Sequence, residues 1–335
     1  MIKCKLIIYN ISGHLSQCIT GFKELDKKEE IKVVSVKYKK TEGIPYVKAI
    51  FNNNINVIYD MNDSGNVFVD KKNLVGIDYY FKRSFDSNIK NKYIEKIKPL
   101  GFNYEVYSRY GDFRSKGYNL LKYIVNILKG KKNKKKFIIN DFEADFIKSD
   151  KNICFLTRLW DPNDQEVENE EVKKEREEIN KFRVECIRLC KKNFGDRFIG
   201  GVENTEFSRK FFPDCIVKND DITKRENFLK IVKSSSICIA TTGLHKSIGW
   251  KFGEYLAASR AIISEKLYYE VPGDFKEGEN YMQFSTPKEL VEKIKILLDN
   301  DKTRINMMNK NKIYYDEYLI PDKLILNTLK EIGLK

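Results

Sequence analysis

Short apolar runs alternate with mixed apolar and polar stretches along this chain. Leu6–Tyr9, Ile31–Val36, Val47–Phe51 and Ile55–Tyr59 read as strands, with Asn52–Asn53–Asn54 as the turn between the last two. A helix is predicted from Leu15 to Leu25, after the loop Asn10–His14. Leu74–Tyr80 and Phe102–Val106 predict further strands. Asn88–Lys98, stopped by Pro99, and Tyr118–Leu128 predict helices. Strands alternating with helices imply an α/β protein with largely parallel, doubly wound sheets.

The second half repeats this rhythm. Ile153–Thr157 is a predicted strand, and a helix begins at Pro162–Asp164 and stops at Gly195. Glu166, Glu168, Glu170 and Glu171 fill its first turns and Arg188, Lys191 and Lys192 its last, as the helix dipole prefers. Ile179, Phe182, Cys186 and Leu189 form its predicted buried stripe. Strands at Arg197–Ile199, Ile237–Ala240 and Ala261–Ser264 follow, with helices at Arg225–Val232, Lys251–Ala258, Thr286–Leu298, Arg304–Tyr315 and after Pro321. The polar stretch Glu143–Asn152 between apolar segments marks a domain boundary, giving domains at 1–150 and 151–320 and a terminal helix at 321–335.

The chain has 335 residues, enough for two ordinary domains, and a net charge of +14. That charge attracts anions: nucleotide phosphates, a lipid-linked substrate or an anionic membrane surface. It is spread along the chain without a helix-turn-helix or zinc-type spacing, so nucleic acid is not the expected partner. The run Lys129–Lys136 reads as a solvated loop. Seven scattered cysteines without paired spacing predict buried free thiols, no metal, and a reducing, cytoplasmic compartment. No segment approaches 18 consecutive apolar residues, and the charged start Met1–Tyr9 is a strand instead of a signal peptide.

Chemistry concentrates in Thr241–Ser264. A strand, a loop with Gly243 and Gly249, a helix and a second strand place a helix N-terminus at the carboxyl end of a parallel sheet. Backbone N–H groups converge there and the dipole favours an anion. His245, Lys246, Ser247 and Lys251 add polar or cationic groups, so a phosphate-bearing ligand is expected. Lys251 and Glu254 share one helix face, so Lys251 can meet a diphosphate while Glu254 accepts from ribose hydroxyls. An ordinary helix with a surface ion pair is the alternative.

The phrase Lys251, Glu254–Tyr255–Leu256–Ala257, Ala261–Ile262–Ile263–Ser264 resembles the C-terminal domain of GT-B glycosyltransferases of the family 1/4 type, especially bacterial surface-polysaccharide enzymes. Ser259 and Arg260–Ala261 replace that family's usual Gly and Pro. Ile153–Thr157 followed by Arg158–Leu159 is similar to the domain's opening, with Thr157 in place of Gly. Pro272–Gly273–Asp274 through Glu289–Leu290 extends the likeness over about residues 151–320. The resemblance implies two Rossmann-like domains with parallel sheets facing a central cleft. It also implies a hexosyltransferase using a nucleoside-diphosphate sugar and a glycan or lipid-linked acceptor, with no cofactor, peripheral to the inner face of the plasma membrane. Arg158, His245, Lys246, Ser247, Lys251 and Glu254 become the donor-site candidates, and the final helix is expected to cross back to the first domain.

Glycosyl transfer needs a neutralised leaving group, an aimed acceptor hydroxyl and, for inversion, a base. Many retaining members carry a Glu where this chain has Lys246. His14, in a Gly-containing loop after the first strand, is the favoured base, with Asp60 and Asp63 as carboxylate alternatives. Lys82 and Arg83 are candidates for an acceptor pyrophosphate. A sugar-nucleotide epimerase or hydrolase on the same fold and a basic nucleic-acid-binding protein remain as rival readings.

Overall fold

The computed structural model describes all residues except 89–90, 92–94, 115–134, 145–150, 166 and 168. The helix expected at 118–128, most of the lysine run and part of the 143–152 boundary lie outside the described residues.

The first sheet contains β1 (Ile2–Tyr9), β2 (Ile31–Lys39), β3 (Tyr46–Phe51), β4 (Ile55–Asp60), β5 (Tyr79–Lys82) and β6 (Ile97–Pro99), ordered β2-β1-β3-β4-β5-β6. β3 runs antiparallel to both neighbours, while every other pairing is parallel. The sheet is therefore mixed where sequence predicted parallel strands. The cause is local: Asn52 and Asn53 have φ of 49° and 67°, a tight turn that joins β3 and β4 as a hairpin. The strand expected at Leu74–Tyr80 starts later, because Lys71–Leu74 forms a helical turn and Gly76 bends the chain at φ 71°. Ile97–Pro99 is a strand beside β5 where a helix end was expected. Phe102–Val106 pairs with no sheet; Phe102, Tyr104 and Val106 are wedged against the second domain instead.

The second sheet is wholly parallel: β7 (Ile153–Thr157), β8 (Phe198–Val202), β9 (Ile237–Ala240), β10 (Ala261–Ser264) and β11 (Tyr281–Gln283), ordered β11-β10-β9-β7-β8. The helices are α1 (Ser16–Lys27), α2 (Lys71–Leu74), α3 (Ile139–Phe142), α4 (Glu170–Phe194), α5 (Glu206–Phe211), α6 (Arg225–Ser234), α7 (Trp250–Ala257), α8 (Pro287–Asp299), α9 (Asp301–Tyr314) and α10 (Pro321–Glu331). α4 starts at Glu170, capped by the Asn169 side chain accepting from the Val172 N–H, so it begins later than Pro162–Asp164 suggested. Its buried face runs through Arg176, Asn180, Arg183, Cys186 and Cys190, rotated from the predicted stripe.

α10 lies on α1, with Leu324, Ile325 and Leu329 in the core built by β1, β3, β4 and α1. Gly21 permits this approach, since a Cβ there would stand 2.1 Å from the Pro321 carbonyl oxygen. Phe102 stacks on Phe252 of α7 at 4.8 Å between ring centroids. Two Rossmann-like units thus face a common cleft, the GT-B arrangement. All seven cysteines are buried and free. Among the described residues, no helix is long and apolar enough to cross a membrane.

Candidate functional site

In the second sheet the strand order changes direction between β7 and β9, and ligands of such sheets sit beyond the strand ends at that point. A cavity of about 560 Å³ opens there. Its walls come from both domains: His14, Asp63 and Arg83 from the first, and Thr157–Arg158, the loop after β9 and α7 from the second.

That loop is held in a demanding shape. His245 (φ 60°, ψ 30°) and Lys246 (φ 57°) both sit in the left-handed region. Each such residue costs roughly 1–2 kcal/mol without glycine. Gly243 N–H donates to Ser247 O at 2.9 Å, and Ser247 N–H to Leu244 O at 3.1 Å. Gly243 leaves room for the Ser247 side chain, since a Cβ would meet Ser247 Oγ at 2.6 Å and make that hydroxyl rotate away. Outside groups pin the apex: His245 N–H donates to Glu175 Oε1 at 2.8 Å, and Tyr269 Oη donates to His245 O at 2.8 Å. Glu265 Oε2 accepts from Thr242 N–H at 2.8 Å, and burial raises the Glu265 carboxyl above its usual range.

α7 follows with Gly249 as its N-cap, no capping side chain and no acidic residue in its first turn. Its N-terminal dipole therefore meets no protein carboxylate from its own first turn and favours an external anion. Lys251 donates to the Leu156 carbonyl, and burial pushes its ammonium down to about 8. Glu254, one turn on, is buried at 1 % exposure. Arg225 Nη2 lies 2.7 Å from Glu254 Oε1, an ion pair by distance, yet misaligned. Neither Glu254 carboxylate oxygen accepts a hydrogen bond. A buried carboxylate left this way is expensive unless something else supplies donors.

Arg183 braces the opposite wall. It donates to Thr241 Oγ1 (2.9 Å), Arg158 O (2.8 Å) and Thr242 O (3.0 Å), and stacks over Trp160 at 4.5 Å. Burial lowers its guanidinium to about 10. Arg158 and Lys246 are exposed cations at the rim, over the Trp160 and Tyr268 rings at 5.4 and 4.9 Å.

On the first-domain side, His14 sits in the short turn after β1, edge-on to Trp250 at 4.7 Å. Burial lowers its pKa below 6.5, so it is neutral at pH 7 and able to take a proton. Arg83 ion-pairs with Asp63 and also donates to the Ile248 carbonyl, joining the first domain to the loop of the second.

The structure thus gathers His14, Arg83, Arg158, Lys246, Ser247, Lys251 and Glu254 around one cavity. Asp60 and Lys82 are not there. Both are fully buried as an ion pair of 2.8 Å, with Tyr80 donating to Asp60 at 2.6 Å and Lys82 to Val67 O at 2.7 Å. Neither reaches solvent, so the base and anion-binding roles expected of them give way to a structural one. The His245 side chain is not part of the cavity wall; its backbone shapes the loop instead.

Sequence reading missed Arg183, Arg225 and Tyr269. Two left a signal. Arg225 puts a cation in a helix's first turn, against the dipole. Arg183 puts a charge one turn after Ile179 and before Cys186, on a predicted buried stripe. Among the described residues no cluster of His, Cys, Asp and Glu has the make-up of a metal site.

No family model matches the chain, and no curated protein matches it. Among solved structures it is similar to Anabaena HepE in complex with UDP and glucose, at 9% identity and TM-score 0.40, over 99% of this chain and 100% of that one. It is also similar to the C-terminal domain of the group 1 family glycosyl transferase LpcC from Francisella tularensis, at 12% identity and TM-score 0.36, over 53% of this chain and 95% of that one. TarM matches at 12% identity and TM-score 0.37 over 76% of this chain, which spans 50% of TarM.

Proposed function

We propose that the cleft binds a nucleoside-diphosphate sugar and transfers its hexosyl group to a hydroxyl of a lipid-linked bacterial surface glycan. The observation that carries this reading is Glu254, a buried carboxylate on the cavity wall that is ion-paired to Arg225 yet accepts no hydrogen bond on either oxygen, one turn from an uncapped helix N-terminus. A ribose offers two adjacent hydroxyl donors, and a diphosphate offers the anion that the helix end, Lys251, Lys246, Ser247 and Arg158 favour. Such a pair of groups, at that spacing, is the chemistry of a nucleotide.

In the transfer, the acceptor oxygen bonds to the anomeric carbon as the bond from that carbon to the phosphate oxygen breaks. The nucleoside diphosphate leaves with the electron pair, stabilised by those cations and N–H groups. The acceptor proton passes to His14, neutral and set by the first domain against Trp250 at the start of α7. Arg83, close enough to His14 to act on its charge, is engaged by Asp63 and the Ile248 carbonyl and would meet an acidic acceptor group by exchanging its Asp63 partner. The net charge of +14 supports a place at the cytoplasmic face of an anionic membrane.

The test is a thermal-shift screen with UDP, GDP, CMP, ADP and dTDP on wild type and Glu254→Ala. A ligand at about 100 times its Kd stabilises a fold by about 2.7 kcal/mol. One nucleotide should shift wild type and shift Glu254→Ala by about half as much or less. No shift with any of the five overturns the reading and returns the basic nucleic-acid binder to first place. Sugar released or altered without an acceptor would favour a hydrolase or epimerase.

A further inference from the structure

The loop after β9 is closed locally only at its ends, through Gly243, Leu244 and Ser247. Its apex, with two successive non-glycine residues in the left-handed region, is not a shape such a segment keeps unaided. The His245 carbonyl is held by Tyr269, and the same phenol oxygen accepts the Gly65 N–H at 3.1 Å. Gly65 follows β4 in the first domain, whereas His245 belongs to the second. A phenol both donates and accepts, so one oxygen bridges the two backbones. Alongside, the Glu270 N–H donates to Phe85 O at 2.8 Å and Ser87 N–H to Glu270 Oε1 at 2.8 Å, fixing the Tyr269 segment to the first domain.

We propose that Tyr269 is a positioning residue, which lets the first domain set nucleotide affinity without touching the nucleotide. This rests on the nucleotide reading above. Through the His245 carbonyl it holds the strained apex, and the apex fixes the backbone of Lys246 at the rim of the diphosphate site. Arg83 acts on the other end of the same loop through the Ile248 carbonyl. Without the phenol, His245 and Lys246 relax toward right-handed backbone angles and Lys246 leaves the diphosphate. Tyr269 is absent from the cavity wall, so it acts through the loop without touching ligand.

The experiment is a double-mutant cycle read by calorimetric titration with whichever of UDP, GDP, CMP, ADP and dTDP shifts the wild type. Tyr269→Phe should weaken binding about five-fold, the scale of one hydrogen bond, and Lys246→Met about ten-fold. The double variant should bind within about two-fold of Lys246→Met alone, because Tyr269 acts through Lys246. Glu175→Ala removes the other anchor of His245 from a helix surface and should show the same collapse. It decides the matter should Tyr269→Phe fail to fold. Losses that multiply, or a Tyr269→Phe affinity equal to wild type, overturn the positioning role while leaving the nucleotide site intact. A wild type that binds none of the five nucleotides overturns both.

Discussion

Asp60 and Glu254 are both buried carboxylates beside a buried or half-buried cation, and their surroundings differ in one respect. Asp60 is saturated: Tyr80 Oη and Lys82 Nζ donate to Oδ2 at 2.6 and 2.8 Å, and the Asn62 N–H donates to Oδ1 at 2.8 Å. Glu254 has an arginine at 2.7 Å and no hydrogen bond on either oxygen. The first is finished by the fold, and the second is completed by something that enters the cavity. Hydrogen-bond completeness, more than burial or charge, separates the structural carboxylate from the binding one. Asp60 serves the cleft indirectly: the Arg83 N–H donates to its carbonyl at 2.9 Å, and Asn62 leads to Asp63.

The largest effect is expected at Asp60. Asp60→Ala strands the Lys82 ammonium in a dry core and should cost about 3–5 kcal/mol of stability, measured by urea unfolding. Pairing Asp60→Leu with Lys82→Met should recover most of that loss, because similar volumes fill the space with no charge left over. A loss under about 1 kcal/mol for Asp60→Ala would mean the pair is not what holds these loops. Glu254→Ala should behave oppositely. Binding of the nucleotide falls about 10- to 100-fold, roughly 1.5–3 kcal/mol. Stability in the free protein holds or rises, since Arg225, 31 % exposed, turns to water. Should Glu254→Ala unfold the protein as readily as Asp60→Ala and leave titrations with nucleotide unchanged, the distinction between the two carboxylates is wrong.

The second domain was more legible in sequence than the first, for a physical reason. Its central strands β7, β9 and β10 are continuous apolar runs, buried along almost their whole length, and the Thr241–Ser264 unit carries its chemistry within two dozen consecutive residues. Ile237–Ala240 and Ala261–Ser264 match the observed β9 and β10 end for end. In the first domain the decisive facts are long-range. Phe102–Val106 has a strand's composition, but its backbone finds no sheet edge and its side chains fill the seam against α7. Asp60 and Lys82 sit at strand ends, as site residues do, and only their mutual contact and Tyr80 reveal them as closed. Tyr269 lay in a stretch with no periodic pattern, and its role depends on two carbonyl and amide partners 24 and 204 residues away. No local pattern encodes such a bridge.

The smallest effect is expected at the cations. Lys82 has its carboxylate, whereas Lys251 has the Leu156 carbonyl and an ammonium pushed down from 10.5 to about 8 by burial. Between pH 8 and 10.5 the unfolded chain holds a proton that folded Lys251 has lost. The stability of the free protein therefore rises with pH across that window, having carried the full penalty below pH 8. A bound diphosphate supplies the missing counter-charge and raises the Lys251 pKa, so the complex regains the proton. With the terminal phosphate fully ionised, affinity should be level from about pH 7 to 8 and fall above it, by at most about one decade per pH unit. Titrations at pH 9 in two buffers of different ionisation heat should show proton uptake on binding, and Lys251→Met should abolish both the uptake and the slope. An affinity that stays level through pH 9 in the wild type would take Lys251 out of the diphosphate site and leave the anion to the helix end and Lys246.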